Sequence, residues 1–445
     1  MLVNQALMMA NVSYCALRRR KLLAEVANNS VVVVAAAREI VRSRDTDFPF
    51  RQDSDFYYLS HFPEPDAILV LQKDADGHCS EALFCRDKDP LAEVWQGRRF
   101  GPDAAAESFG IPAYSLSLLE DALLKAVNQK SNLYFAQGLY PDLDTQLFAL
   151  LALLRNNPKK GYIAPTQIID LRPLVAELRL VKDDFEIAVM AEAANISVKA
   201  HERAMRRCGQ LHFEFQLEAE IRHEFAMHGA RSCAYNTIVG AGENGCILHY
   251  TENDAALQPG QLVLIDAGCE LQGYAADITR TFPINGKFSA EQAAIYQLVL
   301  DAQLAACAQV KPGNRPKDCL DAVIAVLTQG LLDLGILQGD YATLVAELAC
   351  KQYFIHGLSH WLGMDVHDVG AYKIAGVERQ FVPGMVLTIE PGLYIPTGSP
   401  CDAKWWGIAV RIEDDLLVIK EGHRNLTDTA AKTIAAIEAL MAQEA

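Results

Sequence analysis

Four carboxylates occupy places in this sequence where strands rarely tolerate charge. The segment QLVLIDAGCELQGYAADITRTF, residues 261–282, consists of two apolar runs around a turn that contains a glycine. Each run carries one aspartate, Asp266 and Asp277. Aspartate is a poor strand former, and like charges opposed across a ladder repel. A hairpin centred on Glu270-Leu271-Gln272-Gly273 sets Asp266 opposite Asp277, with Cβ atoms about 4.5–5.5 Å apart. Such a pair calls for a cation. Two glutamates repeat the anomaly: Glu390 ends the apolar run Met385–Glu390, and Glu413 ends Ile408–Glu413. A nitrogen ligand is available from His356-Gly357-Leu358-Ser359-His360, where the glycine favours a loop over a helix. His249 and His367 sit in further turn contexts, NGCILHYTEN and GMDVHDVG. Any one of these groups alone is an ordinary polar residue; four carboxylates within the strands of one region are not. Their charge balances two divalent cations. Oxygen donors with one imidazole suit manganese, cobalt or zinc, with a lean toward manganese. Two ions about 3.5–4 Å apart can activate one shared water, so the expected chemistry is hydrolysis.

These residues need elements to hold them. In the first part, Val31–Ala37, Ala67–Gln72 and Glu81–Cys85 read as strands, Val31–Ala37 as a buried one. Leu116–Val127 and Leu143–Leu154 carry helical spacing, which together predicts an α/β domain. The polar stretch Arg155–Lys160 and the prolines Pro165 and Pro173 place a boundary within 156–180, giving domains 1–172 and 173–445. The second domain opens on an amphipathic helix, Asp183–Arg207, with Ile187, Met190, Ala194 and Val198 on one stripe. Further helices are expected at Phe213–His228, Ala290–Val310 and Lys317–Leu334. Strands are expected at Thr237–Val239, Gln261–Ala267, Tyr274–Phe282, Met385–Glu390, Ile408–Glu413 and Leu416–Ile419. Strands that come in hairpins among helices predict an α+β domain.

The bulk properties agree. With 445 residues the chain exceeds what one core organises, and 51% apolar against 22% charged residues is a globular composition. A formal net charge of −16 disfavours nucleic acid as a partner. The 11 cysteines form no Cys-x-x-Cys pair, which fits reduced thiols in a cytoplasmic protein better than a disulfide framework. Met1–Leu17 is moderately apolar, but its basic residues follow the apolar run rather than precede it. It is also too short to span a bilayer, so neither a secretory signal nor a membrane segment is expected.

The five residues Asp266, Asp277, His360, Glu390 and Glu413 resemble the ligand pattern of the metallopeptidase family with the pita-bread fold, which includes aminopeptidase P, prolidase, methionine aminopeptidase and creatinase. YNTIVGAGENGCILHYTEN, LVLIDAGCELQGYAADITRTFP, HGLSHWLGMDVHDVG and PGMVLTIEPGLYI are similar to its aminopeptidase P branch. So are FRQDSDFYYLSHFPEPDAILVL and AEVWQGRRFG in the first domain, and the resemblance covers almost the whole chain. It implies an α/β N-terminal domain and an α+β pita-bread catalytic domain. It also implies two divalent ions bridged by Asp277 and Glu413, with Asp266 on one and His360 and Glu390 on the other. A hydroxide between the ions would attack the scissile carbonyl, and Glu390 would be the general base. His249 and His367 would hold substrate and oxyanion, and His356 would line the pocket. Tyr394 and Arg411, counted with the substrate site, would orient Asp266. A cation beside crowded carboxylates also favours their ionised form on general grounds. Trp95 would reach a neighbouring subunit's site in a homo-oligomer, a tetramer or dimer, and Arg155 resembles a first-domain arginine that approaches the site. The implied activity is release of the N-terminal residue from peptides with proline second. The alternatives are a prolidase restricted to Xaa-Pro dipeptides and a non-catalytic binding module.

Overall fold

The computed structural model describes residues 2–443, with side chains from 12 to 443. Two compact units meet between Arg179 and Leu180. The turn Asp170-Leu171-Arg172-Pro173 starts a helix, Arg172–Leu180, instead of separating the units. Asp170 Oδ1 accepts the Arg172 N–H at 3.0 Å, and the proline falls in the first turn, where a missing N–H costs nothing. The division therefore lies at the end of that helix, beyond 172.

The first unit is α/β. Its six-stranded sheet runs in the order Ala113–Ser115, Cys79–Cys85, Ile68–Lys73, Ser30–Ala35, Asn132–Phe135, Gln167–Asp170. Ser30–Ala35 pairs antiparallel with Ile68–Lys73 and parallel with Asn132–Phe135. Its four valines suit the pleat, and all six residues are buried, as a central strand covered by helices requires. Leu123, Leu147 and Leu151 from the helices Leu119–Val127 and Pro141–Asn156 share a core with Val31, Val33 and Phe135. The apolar N-terminal stretch belongs, from Leu2, to the helix Leu2–Glu25; Met1 lies outside the described residues. No helix among the described residues is long and apolar enough to cross a membrane.

The second unit is α+β, and among its described residues the strands pair antiparallel throughout. It opens with a capping box: Asp183 accepts from the Glu186 N–H, Glu186 accepts from the Asp183 N–H, and the helix Asp184–Arg207 follows. The helices Glu214–Met227, Ala290–Cys307 and Pro316–Asp333 join it around one core in which Ile295, Val299 and Ala302 meet Val410, Ile412 and Leu416. Two antiparallel assemblies carry the carboxylates. One orders Ile238–Ala241, Leu262–Asp266 and Thr279–Pro283. The other is a ribbon in which Val386–Ile389 pairs with Asp414–Ile419, and Gly392–Ile395 with Ile408–Arg411.

Candidate metal centre

The register of the first hairpin differs from the one expected. Leu271 pairs with Tyr274, Glu270 with Ala275 and Asp266 with Thr279. The turn is a two-residue one with Gln272 and Gly273 both at positive φ, 51° and 83°. That is the type I′ signature, which matches strand twist. The whole pairing shifts by two, so Asp266 opposes Thr279 and not Asp277. A shift of two preserves the face, and Asp277 becomes Asp266's diagonal neighbour. Asp277 also sits in a break between the strands Tyr274–Ala275 and Thr279–Pro283. Gly268 makes that break feasible, because a Cβ there would stand 1.7 Å from the Ala276 carbonyl oxygen.

The opposed carboxylate pair occurs in the other ribbon. Ile389 lies opposite Asp414 and Gly392 opposite Arg411, and the same register places Glu390 opposite Glu413. The ladder is interrupted there. The Glu413 N–H turns to the Thr279 carbonyl at 3.1 Å, and the Glu390 N–H to the Leu358 carbonyl at 3.0 Å. These cross-links tie the second ribbon to the first and to the histidine loop. His356 and His360 lie in that loop, with no helix between them.

The five ligand-type residues line one cleft of about 590 Å³, together with His249, His356, His367 and Arg411. Single ligand atoms of Asp277, His360 and Glu413 lie within 4.8 Å of one another. His360 Nε2 is 3.5 Å from both Asp277 Oδ2 and Glu390 Oε1. Its Nδ1 is 3.0 Å from the Trp361 carbonyl, a contact that aims Nε2 into the cleft. Arg411 is buried and forks three ways: to Asp266 Oδ2 at 2.6 Å, the Tyr394 hydroxyl at 2.9 Å and Thr279 Oγ1 at 3.0 Å. Tyr394 is also buried, contributes no cleft wall and touches His356 Nε2 through its hydroxyl at 2.8 Å. It reaches the site through Arg411 and His356, and not by direct exposure to a substrate.

The electrostatics are those of a crowded anionic site. Burial, then the Asp266 charge, raises Asp277, and burial, then Asp277 and Glu390, lifts Glu413 well above its ordinary range. Burial pushes Glu390 to about 7 against the pull of His360 and Arg411. Burial lowers His360, but its hydrogen bond to Asp277 and the charges of Asp277 and Glu390 outweigh this and hold it at about 9. His356 is pushed down to about 3 by burial and the neighbouring Arg411, so it is neutral. His367 is lowered by burial and by the nearby His360 and His249.

Sequence reading missed three further groups. The Tyr235 hydroxyl touches Asp266 Oδ1 at 2.5 Å and Asp277 Oδ1 at 2.6 Å. A hydroxyl has one proton, so one of these contacts needs a further proton or a cation. Thr279 Oγ1 donates to Glu413 Oε2 at 2.5 Å. Buried Glu214 accepts from Ala241 N, Asn244 Nδ2, Tyr250 Oη and Ala255 N, and so fastens both ends of the loop that carries His249. Tyr235 and Thr279 fall within the motifs YNTIVG and ADITRTFP, but nothing local marks either as a partner of the carboxylates. Trp95 is 88% exposed on the short helix Pro90–Gln96 of the first unit and is not a core tryptophan. Arg155 lies in the last turn of the helix Pro141–Asn156 of the same unit.

Four carboxylates, one imidazole and an over-subscribed tyrosine hydroxyl fit divalent cations. The donor set is oxygen-rich and lacks thiolate. Fold and site together define a metallohydrolase, with its centre held between antiparallel ribbons. The chain belongs to metallopeptidase family M24, whose profile matches residues 188–420, and the profile "Aminopeptidase P, N-terminal domain" matches residues 15–134. It is 47% identical over 427 residues to the Xaa-Pro aminopeptidase of Escherichia coli K12, covering 95% of this chain and 96% of that protein. Proline aminopeptidase P II from Yersinia pestis superposes with a TM-score of 0.94 at 48% identity, covering 97% of this chain and 99% of that one. A zinc-substituted E. coli aminopeptidase P in complex with product gives the same TM-score, 0.94, at 46% identity, over 97% and 98% of the two chains. The architecture is accordingly an aminopeptidase P N-terminal domain followed by a pita-bread catalytic domain.

Proposed function

We propose that this chain is a cytoplasmic aminopeptidase that releases the N-terminal residue from peptides with proline second, using two divalent ions, manganese by preference. One observation carries the reading. All five ligand-type residues converge on one cleft, in a chain that aligns over 95% of its length with an Xaa-Pro aminopeptidase. A non-catalytic module has no reason to retain such a costly cluster of buried charge.

Asp277 and Glu413 would hold both ions, Asp266 one of them, and His360 and Glu390 the other. Bound metal would polarise the scissile carbonyl and acidify water. The protein's own groups supply the rest. Glu390, which lines the cleft, can take a proton from the attacking water and return it to the leaving proline nitrogen. His249 and His367 face the cleft, where they can orient the substrate and meet the developing oxyanion. Neutral His356 forms part of the wall and is held by Tyr394. Arg411 orients Asp266. The exposed Leu91, Val94 and Trp95 suit burial in a homo-oligomer, as a tetramer would provide.

Product analysis on a matched pair of substrates tests the specificity. An Xaa-Pro-Xaa tripeptide should yield free Xaa and a Pro-Xaa dipeptide. Cleavage confined to Xaa-Pro dipeptides would instead make the chain a prolidase.

A further inference from the structure

Two cysteines face each other beside the metal centre. The strand Ser232–Cys233 pairs antiparallel with Cys269–Leu271, and the register sets Cys233 directly opposite Cys269. The adjacent position carries the ladder bond, from Ala234 N to the Gly268 carbonyl at 2.9 Å. The Cys269 N–H goes instead to Ser197 Oγ at 3.0 Å. Cys233 and Cys269 therefore form a non-hydrogen-bonded pair, the arrangement that brings Cα atoms to about 4.5 Å. Disulfides span Cα separations of about 4.4–6.8 Å. Both residues are free thiols, and Cys233 packs against the apolar cluster that contains Cys269. Only weak bonds hold the thiols apart: Cys269 Sγ donates to the Ala193 carbonyl at 3.4 Å, and Thr237 Oγ1 donates to Cys233 Sγ at 3.7 Å.

We propose that Cys233 and Cys269 are a thiol–disulfide modification site: a low-molecular-weight disulfide closes them into a cross-strand bond, and closure turns the neighbouring centre down. Cys233, the more exposed of the two, attacks the small disulfide as thiolate. A mixed disulfide forms and one small thiol leaves. Cys269 then attacks Cys233 Sγ and expels the second small thiol. Two protein thiols lose two electrons and two protons, and one disulfide becomes two thiols. Burial raises both protein thiols, Cys269 to about 12, so exchange at neutral pH is slow and quickens about tenfold per pH unit.

The link to the centre is short. Tyr235, two residues after Cys233, contacts both Asp266 and Asp277. Asn236 lines the cleft, and Asp266 lies three residues before Cys269. Closure draws opposed Cβ atoms from about 4.5–5.5 Å to about 3.8 Å, a shift of about an ångström at the root of Tyr235. Misplacement on that scale costs up to about 100-fold in rate.

The test incubates the full chain with excess glutathione disulfide at mildly alkaline pH. Readouts are intact mass, a non-reducing peptide map and cleavage of an Xaa-Pro-Xaa peptide. Expected are a loss of about 2 Da, a peptide linking Cys233 to Cys269, and at least about a tenfold fall in cleavage that dithiothreitol reverses. Cys233→Ser should show none of these changes. A map without the Cys233–Cys269 link would overturn the proposal, and so would a linked protein with undiminished cleavage. Only the activity arm rests on the aminopeptidase reading. If the reduced protein cleaves no such peptide, calorimetric manganese affinity before and after oxidation replaces it: weakened binding upholds the proposal and unchanged binding overturns it.

Discussion

Replacing Arg411 by methionine isolates the residue that organises the metal centre without being a ligand. The guanidinium donates to Asp266, Tyr394 and Thr279, all inside the protein. Each charge-assisted bond contributes about 1.5–3 kcal/mol, and breaking a buried pair costs about 3–5 kcal/mol through the charge left behind. Two effects on metal affinity oppose each other. Losing a cation makes the site more negative, which favours metal. Losing the fork frees Asp266 to turn away and lets the crowded carboxylates bind protons, which compete with metal. The second effect should win, because groups that hydrogen-bond to metal ligands typically control about 10–100-fold in affinity, or about 1.4–2.8 kcal/mol. Isothermal titration of manganese into chelator-stripped protein at neutral pH measures it directly. A dissociation constant within about twofold of the parent, or a tighter one, would refute the assigned role. Arg411→Lys should recover only part of the loss, because an ammonium cannot span three acceptors set out for a planar fork.

Gly268→Ala should abolish metal binding and lower the melting temperature sharply in calorimetry, because the added Cβ would lie 1.7 Å from the Ala276 carbonyl oxygen beside Asp277. Glu214→Gln turns an amide N–H₂ toward two of the four donors and should lower kcat/KM by about tenfold, with manganese affinity unchanged. Added to His249→Ala it should cost little more, since both act on one loop; additive losses in the double-mutant cycle would show that Glu214 works elsewhere. The metal-free protein should lose stability as pH rises. Glu390 is raised from 4.5 to about 7, so the folded chain holds a proton that the unfolded chain has lost, and stability falls across that window. His360 is raised from 6.5 to about 9, and its contribution, full below 6.5, fades as pH climbs to 9. Buried His61, His201 and His356, pushed down to about 4, 4 and 3, act in the opposite sense below 6.5, so scanning calorimetry with chelator should show the melting temperature falling from about pH 7 to 9, and saturating metal should remove that slope.

The ligand residues were legible because charge inside an apolar strand conflicts with local preference, and such conflicts mark sites. The buried strand Ser30–Ala35 was legible from its continuous β-branched run, and the helix Asp184–Arg207 from its helical periodicity. The hairpin register was not. The pattern of apolar residues is unchanged by a shift of two, and only the positive φ at Gln272 and Gly273 decides between the alternatives. The opposed pair expected at the aspartates occurs at Glu390 and Glu413, whose strands are separated by a turn too irregular to index. Tyr235 and Glu214 act across long sequence separations, 42 residues from Tyr235 to Asp277 and 41 from Glu214 to Ala255, which no local pattern encodes. The cysteine pair was invisible for the same reason, since each thiol gains its meaning only from the pairing of two very short strands.

The central claim is that Asp266, Asp277, His360, Glu390 and Glu413 form a divalent metal centre on which peptide cleavage depends. Cleavage of an Xaa-Pro-Xaa peptide, followed through chelation and stepwise return of manganese with bound metal counted by mass spectrometry, tests it most directly. Cleavage should vanish on chelation and return as two ions bind each chain, with neither recovery nor full occupancy in Glu413→Gln. Undiminished cleavage by protein shown to be metal-free would contradict it.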